Sequence, residues 1–270
     1  MSDRHPTAQI SPRAVLAPDV TVGPYAIIEA DVTLGAGCSV GAHASLRGPM
    51  VIGAGCAIYP FASMGSDPQD LKFKGEPTRL AIGDRNTFRE FVTINRGTGG
   101  GGGITTIGDD NYFMAYAHVA HDCHVGHGTI FANAATLAGH VVVEDYANVG
   151  AYSGVHQFCR VGSHAFIGGY SVVTKDALPF AKTVGNRARI YGLNTIGLVR
   201  RKFSQDAIAK LRRAYRYLLH SNTSRALAQI EQDPTLQCPE VQYVVNFIRT
   251  SKRGVGLRRP SRRLEELVEE

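Results

Sequence analysis

Residues 107–173 read IGDDNY FMAYAH VAHDCH VGHGTI FANAAT LAGHVV VEDYAN VGAYSG VHQFCR VGSHAF IGGYSV V, and each block of six opens on a large apolar residue. The series is Ile107, Phe113, Val119, Val125, Phe131, Leu137, Val143, Val149, Val155, Val161, Ile167 and Val173. The same step runs upstream from Ile10 through Leu16, Val22, Ile28, Leu34, Val40, Leu46, Ile52 and Ile58 to Met64, and Ile82, Phe88 and Ile94 keep it between the two series. Fewer than half of the residues in ordinary proteins are apolar, so twelve in succession would arise by chance about once in several thousand trials. Six is not the helical period of 3.6, but it is a multiple of the strand period of two, so each repeat reads as a short strand plus a corner with one side chain sent inward. Three such repeats close one triangular coil. Successive coils then stack ~4.8 Å apart through backbone hydrogen bonds. At 11 of the 25 apolar positions the next residue is glycine, which suits a place where another stretch of backbone crowds in.

Composition narrows the class. The chain has 270 residues, 30 of them glycine and none tryptophan, with 44% hydrophobic and 19% charged content, as in an ordinary folded protein that turns many tight corners. A net charge of +6 is modest, and no basic stripe interleaved with aromatics precedes the last third, so nucleic acid is not the expected partner. Five cysteines, Cys38, Cys56, Cys123, Cys159 and Cys238, have no C-x-x-C spacing and suggest neither a disulfide framework nor a structural zinc site. The N-terminus lacks a signal-peptide pattern, and no apolar run approaches the roughly 20 residues of a membrane span. The expected compartment is the cytoplasm.

Two stretches break the rhythm. Residues 65–81, GSDPQDLKFKGEPTRLA, carry no apolar hexad, and residues 95–106, with glycine at every position from Gly99 to Gly103, shift its phase by one. Both are expected to leave the solenoid as loops, the first bearing Asp70, Lys72, Lys74 and Arg79. After Val173 the hexads fade. Ser204 reads as the cap of a helix with Ala207, Ile208, Leu211, Ala214, Tyr215, Leu218 and Leu219 on one face, and further helices are expected from Ser224 and Pro239. Such a helical cap would also cover the open strand edge of the last coil. The division expected is residues 1–190 for the solenoid, 191–255 for a small helical domain and 256–270 for a charged, disordered tail.

The hexad pattern resembles that of the hexapeptide-repeat acyltransferases. The resemblance implies a mainly β protein, a left-handed parallel β-helix with a small C-terminal α-helical domain, that assembles as a homotrimer; the period itself does not reveal the hand.

A coil of three hexads makes the histidine-rich stretch legible as a site. It stacks His121 under Gly139 and then Gln157, and Asp122 under His140. Four of the ten histidines, His118, His121, His124 and His127, fall in this stretch. Histidine, with an ordinary pKa near ~6.5, suits removal of a proton from a hydroxyl as it attacks a thioester. His121 is then the candidate general base, Asp122 the group that orients it and Gly139 an amide donor for the oxyanion. A zinc lyase of the carbonic anhydrase kind is the rival reading of the histidines, although side chains three apart on an alternating strand point to opposite faces. A purely structural solenoid would show repetitive polar faces instead.

QDLKFKGEPTRLAIGDRNTFRE (69–90), NRGT (95–98), AHVAHDCHVG (117–126), NAATLAGHV (133–141), HQFCRVG (156–162) and GLVRRKFS (197–204) resemble the UDP-N-acetylglucosamine O-acyltransferases of Gram-negative lipid A synthesis. The resemblance implies transfer of an (R)-3-hydroxyacyl chain from acyl carrier protein to the 3-hydroxyl of UDP-N-acetylglucosamine, with no cofactor and no metal; a 3-amino sugar or another sugar nucleotide is the alternative acceptor. It implies His121, Asp122 and Gly139 as catalytic, and Asp70, Lys72, His118, His140, His156, Gln157, Asn194 and Arg200 as substrate-binding. Gly169 matches a position associated with acyl length. One departure stands out: Arg187 follows Gly185 and Asn186 where the family often has histidine, so contacts near the uridine are expected to differ. The cluster Arg200, Arg201, Lys202, Arg212, Arg213 and Arg216 suits docking of an acidic carrier protein.

Overall fold

The computed structural model describes residues 3–257. The chain winds through three sheets that form the walls of a prism, parallel throughout except for the last pair of strands in the third. The first wall has nine strands, from Gln9–Ile10 to Val172–Val173, and the second has eight, from Val15–Leu16 to Arg160–Val161. The third has ten, from Thr21–Val22 to Arg189–Leu193. Most strands are two residues long, because a side made of one hexad leaves no more before the next corner. Register advances by three hexads per coil: His118 pairs with Thr136, Thr136 with Gly154 and Gly154 with Val172.

Every large apolar residue of the hexads from Val22 to Val173 is buried, with Phe88, Phe113 and Phe131 stacked inside the third wall at centroid distances of 5.1 and 4.6 Å. A second, smaller inward position lies two places before each of these. It explains the cysteines, since Cys38, Cys56, Cys123 and Cys159 all occupy it as small apolar core residues. Polar residues in the same column bond to the adjoining coil: Asn111 Oδ1 accepts from the Thr129 amide (2.8 Å) and hydroxyl (2.6 Å). The glycines that follow the apolar positions sit where the neighbouring backbone passes, as at Gly41, where a Cβ would lie 2.6 Å from the Pro60 nitrogen. The corners turn on a left-handed residue three places after the apolar one, and this is usually not glycine: Tyr25, Phe61, Tyr116, Asp122, His140 and Phe158 all have φ between 57° and 65°.

Both breaks in the rhythm leave from one edge. Ile58 pairs with Phe88 and Phe88 with Phe113, each a longer step along the chain than the regular one from Phe113 to Phe131. Both insertions pass from the first wall to the second, between Ser63–Ser66 and Arg79–Ile82 and between Thr93–Asn95 and Ile104–Ile107. They lie side by side. Arg96 pairs with Asp67 (2.8 Å), and the Gly99 amide donates to Glu76 (3.2 Å).

Among the described residues the C-terminal part has four α-helices: α1 (Thr195–Arg200), α2 (Gln205–His220), α3 (Thr223–Gln232) and α4 (Pro239–Arg249). Ser204 caps α2 through its hydroxyl, and Asn222 caps α3, which starts one residue before the expected Ser224. Helix α1 is too short to leave a periodic signal in the sequence. The helices share a core separate from the solenoid's, with Leu198, Leu211, Tyr215, Leu218, Ile230 and Val244 at its centre. The expectation that helices cover the last strand edge needs correction. Backbone does so first: Ala181–Val184 continues the third wall and pairs antiparallel with Arg189–Leu193, Ala177 bridges to Val161 of the second wall and Asn186 to Val172 of the first, and Val255 bridges in turn to Asp176. The charged tail expected from 256 lies largely outside the described residues.

Phe113 is fully buried between two stacked rings, so Phe113→Ala opens a cavity the rigid coils cannot close. Unfolding by denaturant should show a loss of about 3–5 kcal/mol.

Candidate active site

At the corner from the first wall to the second, three coils superimpose His121, Gly139 and Gln157, with Asp122, His140 and Phe158 one residue on. His121 lies against the Gly139 α-carbon: an added Cβ there would be 2.5 Å from the imidazole Cε1 and 2.7 Å from Nε2. Only glycine fits above the ring. Gly139 is buried, and its amide donates to no carbonyl among the described residues.

His121 Nδ1 is 2.7 Å from Asp122 Oδ2. The carboxylate is wholly buried, while the His121 side chain keeps 13% exposure. Burial pushes the Asp122 carboxyl up, but hydrogen bonds from the Thr98 hydroxyl, His121 and the Thr98 amide outweigh it and hold it below the ordinary aspartate value. An ionised carboxylate only accepts, so Nδ1 carries a proton toward it, and in the neutral ring the lone pair is on Nε2. His140 Nε2 lies 3.8 Å from the same carboxylate, its ring edge-on to His121 at 5.1 Å and stacked on Phe158 at 4.4 Å. Burial lowers the His140 and His118 pKa values, which keeps both rings neutral near pH 7.

Cys123, beside this pair in sequence, points into the core. Its thiol donates to the Ala138 carbonyl (3.1 Å), and burial pushes it up to about 12, so it is no nucleophile at neutral pH.

The other expected residues divide into two groups. His118 lies on the first wall with Nδ1 2.7 Å from the Thr93 hydroxyl, and exposed His156 stands two coils above, contacted by Arg253 (3.2 Å). Asp70 and Lys72 form a turn in the first insertion, and the Asp70 charge is felt at His140. Exposed Gln157 completes this group. Asn194 and Arg200 are elsewhere. Asn194 caps α1 and donates to the His164 carbonyl (3.1 Å); with Arg200, Arg201, Lys182, Tyr146 and His164 it lines a cleft of about 430 Å³ beside the corner from the second wall to the third. Gly169 stands exposed at the remaining corner, across the first wall from His121.

The rival zinc reading is corrected in its geometry. His118 is on the first wall, His121 at the corner, His124 on the second wall and His127 beyond it; they diverge because the coil turns, not because strands alternate. The one group of metal-capable side chains among the described residues is His121, Asp122 and His140, with donor atoms within 4.8 Å. Its carboxylate is already committed, to His121 and to Thr98.

Sequence reasoning missed Thr98, which reaches Asp122 with both its amide (2.8 Å) and its hydroxyl (2.6 Å). The signal was present: Ile94 and Ile107 belong to consecutive walls, so the insertion between them had to leave from the corner that carries Asp122. Arg201, stacked over Tyr146 at 4.1 Å, was read only as part of a basic cluster.

Comparison with known proteins agrees with this geometry. Residues 176–256 match the family profile described as UDP-N-acetylglucosamine O-acyltransferase, domain 2, and residues 13–48 and 104–139 match the bacterial transferase hexapeptide repeat. The chain is 51% identical to the acyl-[acyl-carrier-protein]–UDP-N-acetylglucosamine O-acyltransferase of Thiobacillus denitrificans over 94% of its own length and 99% of that protein's. It is 49% identical to the protein of the same name from Stenotrophomonas maltophilia, over 92% and 95% of the two lengths. Among solved structures it is similar to LpxA from Acinetobacter baumannii, with a TM-score of 0.91 and 41% identity over 94% of this chain and 99% of that one. The UDP-N-acetylglucosamine acyltransferase of Arabidopsis follows with a TM-score of 0.83 and 37% identity over 93% and 99%. The coil is left-handed, as in these relatives. With half of its residues shared over nearly its full length, this chain belongs to the UDP-N-acetylglucosamine O-acyltransferase family.

Proposed function

We propose that the corner holding His121 is where this enzyme transfers an (R)-3-hydroxyacyl chain from acyl carrier protein to the 3-hydroxyl of UDP-N-acetylglucosamine, the first step of lipid A synthesis. The observation that carries the reading is the column itself: a buried carboxylate, an imidazole bound to it through Nδ1, and an unpaired amide above it. His121 Nε2 takes the proton of the attacking hydroxyl as the new carbon–oxygen bond forms. The Gly139 N–H receives the thioester oxyanion, the carbon–sulfur bond breaks, and the proton passes from the imidazolium to the departing thiolate. Asp122 stabilises that imidazolium in a pocket where charges are weakly screened. Cys123 is turned inward, which favours direct transfer over an acyl-enzyme. Zinc chemistry at the same three side chains is disfavoured because the Asp122 oxygens are already engaged.

Asp70, Lys72, His118, His140, His156 and Gln157 surround the reacting end and hold the sugar and the acyl carbonyl. Asn194 and Arg200, with Arg201 in the same cleft, take the diphosphate and uridine, since a guanidinium fork matches phosphate oxygens. The acyl chain runs over the first wall, where outward residues such as Thr136 and Gly154 are small, towards Gly169. No cofactor is required. The cytoplasm is the compartment that suits five free cysteines. No helix of the described residues is long and apolar enough to cross a membrane.

The two halves of this site lie at different corners of one prism. A homotrimer joins them by laying the first wall of one copy against the third wall of the next. Such packing gathers the corners between third and first walls around the axis, and there the chain carries an exposed ladder of Tyr25, His43, Phe61, Phe91 and Tyr116, with rings 4.9–5.1 Å apart. Exposed stacked aromatics in such a continuous column are what an interface buries.

His121→Ala should lower kcat by about 10²–10⁴-fold while circular dichroism stays unchanged. Gly139→Ala should fall comparably because its methyl displaces the imidazole; full activity in either would reject the assignment. Co-refolding inactive His121→Ala and Arg200→Ala chains should restore part of the activity, since mixed trimers contain corners with two intact halves. No recovery would show that each chain works alone. Arg212 and Arg216 are exposed on α2, so Arg212→Glu should raise KM for the acyl carrier protein several-fold and flatten the decline of kcat/KM with added salt.

A further inference from the structure

The glycine-rich insertion does more than interrupt the solenoid. Gly99–Gly101 forms a single 3₁₀ turn capped by the Thr98 side chain, which accepts from the Gly101 amide. The same hydroxyl donates to Asp122 Oδ2 at 2.6 Å, and the Thr98 amide donates to Asp122 Oδ1 at 2.8 Å. Gly101 closes over the carboxylate: a Cβ there would sit 2.1 Å from Asp122 Cγ. From below, the Thr105 hydroxyl accepts the Asp122 amide at 2.8 Å. Thr98, Thr105 and Asp122 are all buried. The carboxylate is thus gripped by Thr98 and covered by Gly101 of the insertion, while Thr105 of the following strand fixes the Asp122 backbone; the titratable groups that face it are His121 at 2.7 Å and His140 at 3.8 Å, with Asp70 beyond His140.

We propose that Thr98 is a positioning residue for acyl transfer: it holds the Asp122 carboxylate in the orientation that directs one oxygen to His121 Nδ1, and the glycines beside it let the loop close directly over that carboxylate. Without a donor on its far side, a buried carboxylate rotates or draws in water, and the imidazole loses its fixed tautomer. At the same corner of an uninterrupted coil, Asp31 is exposed and its carboxylate is paired with Arg13 (2.7 Å), with no loop closed over it. Three of the five glycines follow from this demand. Gly101 has no room for a side chain, while Gly102 and Gly103, at φ 98° and 78°, return the chain to the second wall in a conformation that L residues rarely adopt.

The insertion is also tied to the one that bears Asp70 and Lys72. Glu76 accepts from the Gly99 amide (3.2 Å) and from the Lys74 amide (2.8 Å), and Arg96 spans Asp67, the Thr78 hydroxyl and the Gly65 carbonyl. The loop proposed to hold the sugar and the loop that holds Asp122 therefore form one packed unit.

This inference rests on His121 acting as the base, and the test separates the two. Thr98→Val, Thr98→Ser, Asp122→Asn and the double variant Thr98→Val with Asp122→Asn are assayed as full-length protein with UDP-N-acetylglucosamine and 3-hydroxyacyl carrier protein across pH 5–9. Thr98→Val should lower kcat by about tenfold or more with KM for the sugar nucleotide within twofold. The carboxylate is then no longer held toward Nδ1 and stabilises the imidazolium less, so the acidic limb of the pH–kcat profile should move to lower pH. Thr98→Ser, which keeps the hydroxyl, should stay within about threefold of wild type with an unmoved limb. In the Asp122→Asn background Thr98→Val should cost little more, because the group it acts through is already changed. Equal losses for Val and Ser, an unmoved limb in Thr98→Val, or full additivity with Asp122→Asn would each overturn the proposal. If Thr98→Val does not fold, the Ser variant and its pH profile decide. An active His121→Ala would instead reject the site reading beneath it.

Discussion

Stacking of backbone on backbone at a fixed advance is the constraint from which the rest of this protein follows. Neighbouring strands in a sheet stand ~4.8 Å apart, and here each strand of a regular coil is followed by an equivalent one a coil later, so side chains at equivalent phases form vertical columns. A column of large apolar residues fills the prism, and a second column of small ones leaves room for them. A third column sets the corners in the left-handed region. None of these positions can drift without breaking hydrogen bonds to both adjoining coils. The result is a scaffold stiff enough to hold an imidazole and an amide without help from a flexible loop.

The candidate site uses that stiffness and departs from it at one place. His121 and Gly139 are related by the coil alone: the imidazole packs on an α-carbon because the next turn of the solenoid passes there. Asp122 is different. It occupies a corner position that elsewhere holds residues as varied as Tyr25, Asp31, Arg85 and Phe158, all exposed, yet its side chain is wholly buried. The cover comes from an insertion, and the cost of burying a charge is offset by the amide and hydroxyl of Thr98 and by the neighbouring imidazole. The proposed chemistry is concentrated where the repeat has been interrupted, and both interruptions leave the coil at the same edge.

The solenoid was legible because its signal is local and repeated. Ile107 to Val173 set the period, the period set the coil, and the coil aligned His121, Gly139 and Gln157 before any coordinates. The phase shift at residues 95–106 was visible too, but its consequence was not: the distance from Thr98 to Asp122 is set by how the inserted loop folds back, and a run of glycines has no preferred path. Likewise α2 announced itself by a capped apolar face, whereas the short α1 has too few turns to show one. The hairpin of Ala181–Val184 and Arg189–Leu193 was hidden because its pairing partners are set by the last coil beside it.

The sequence by itself determined the repeat, its inward residues and the vertical alignment of the histidine column, because each depends only on spacing along a chain whose neighbours in space are a fixed number of residues away. Tertiary structure alone decided which wall each histidine faces, that four cysteines are packing residues, that Thr98 grips Asp122, and that Asn194 and Arg200 stand at another corner from His121. Those relations join segments that no period connects, so they are fixed by the packing of insertions and helices against the prism.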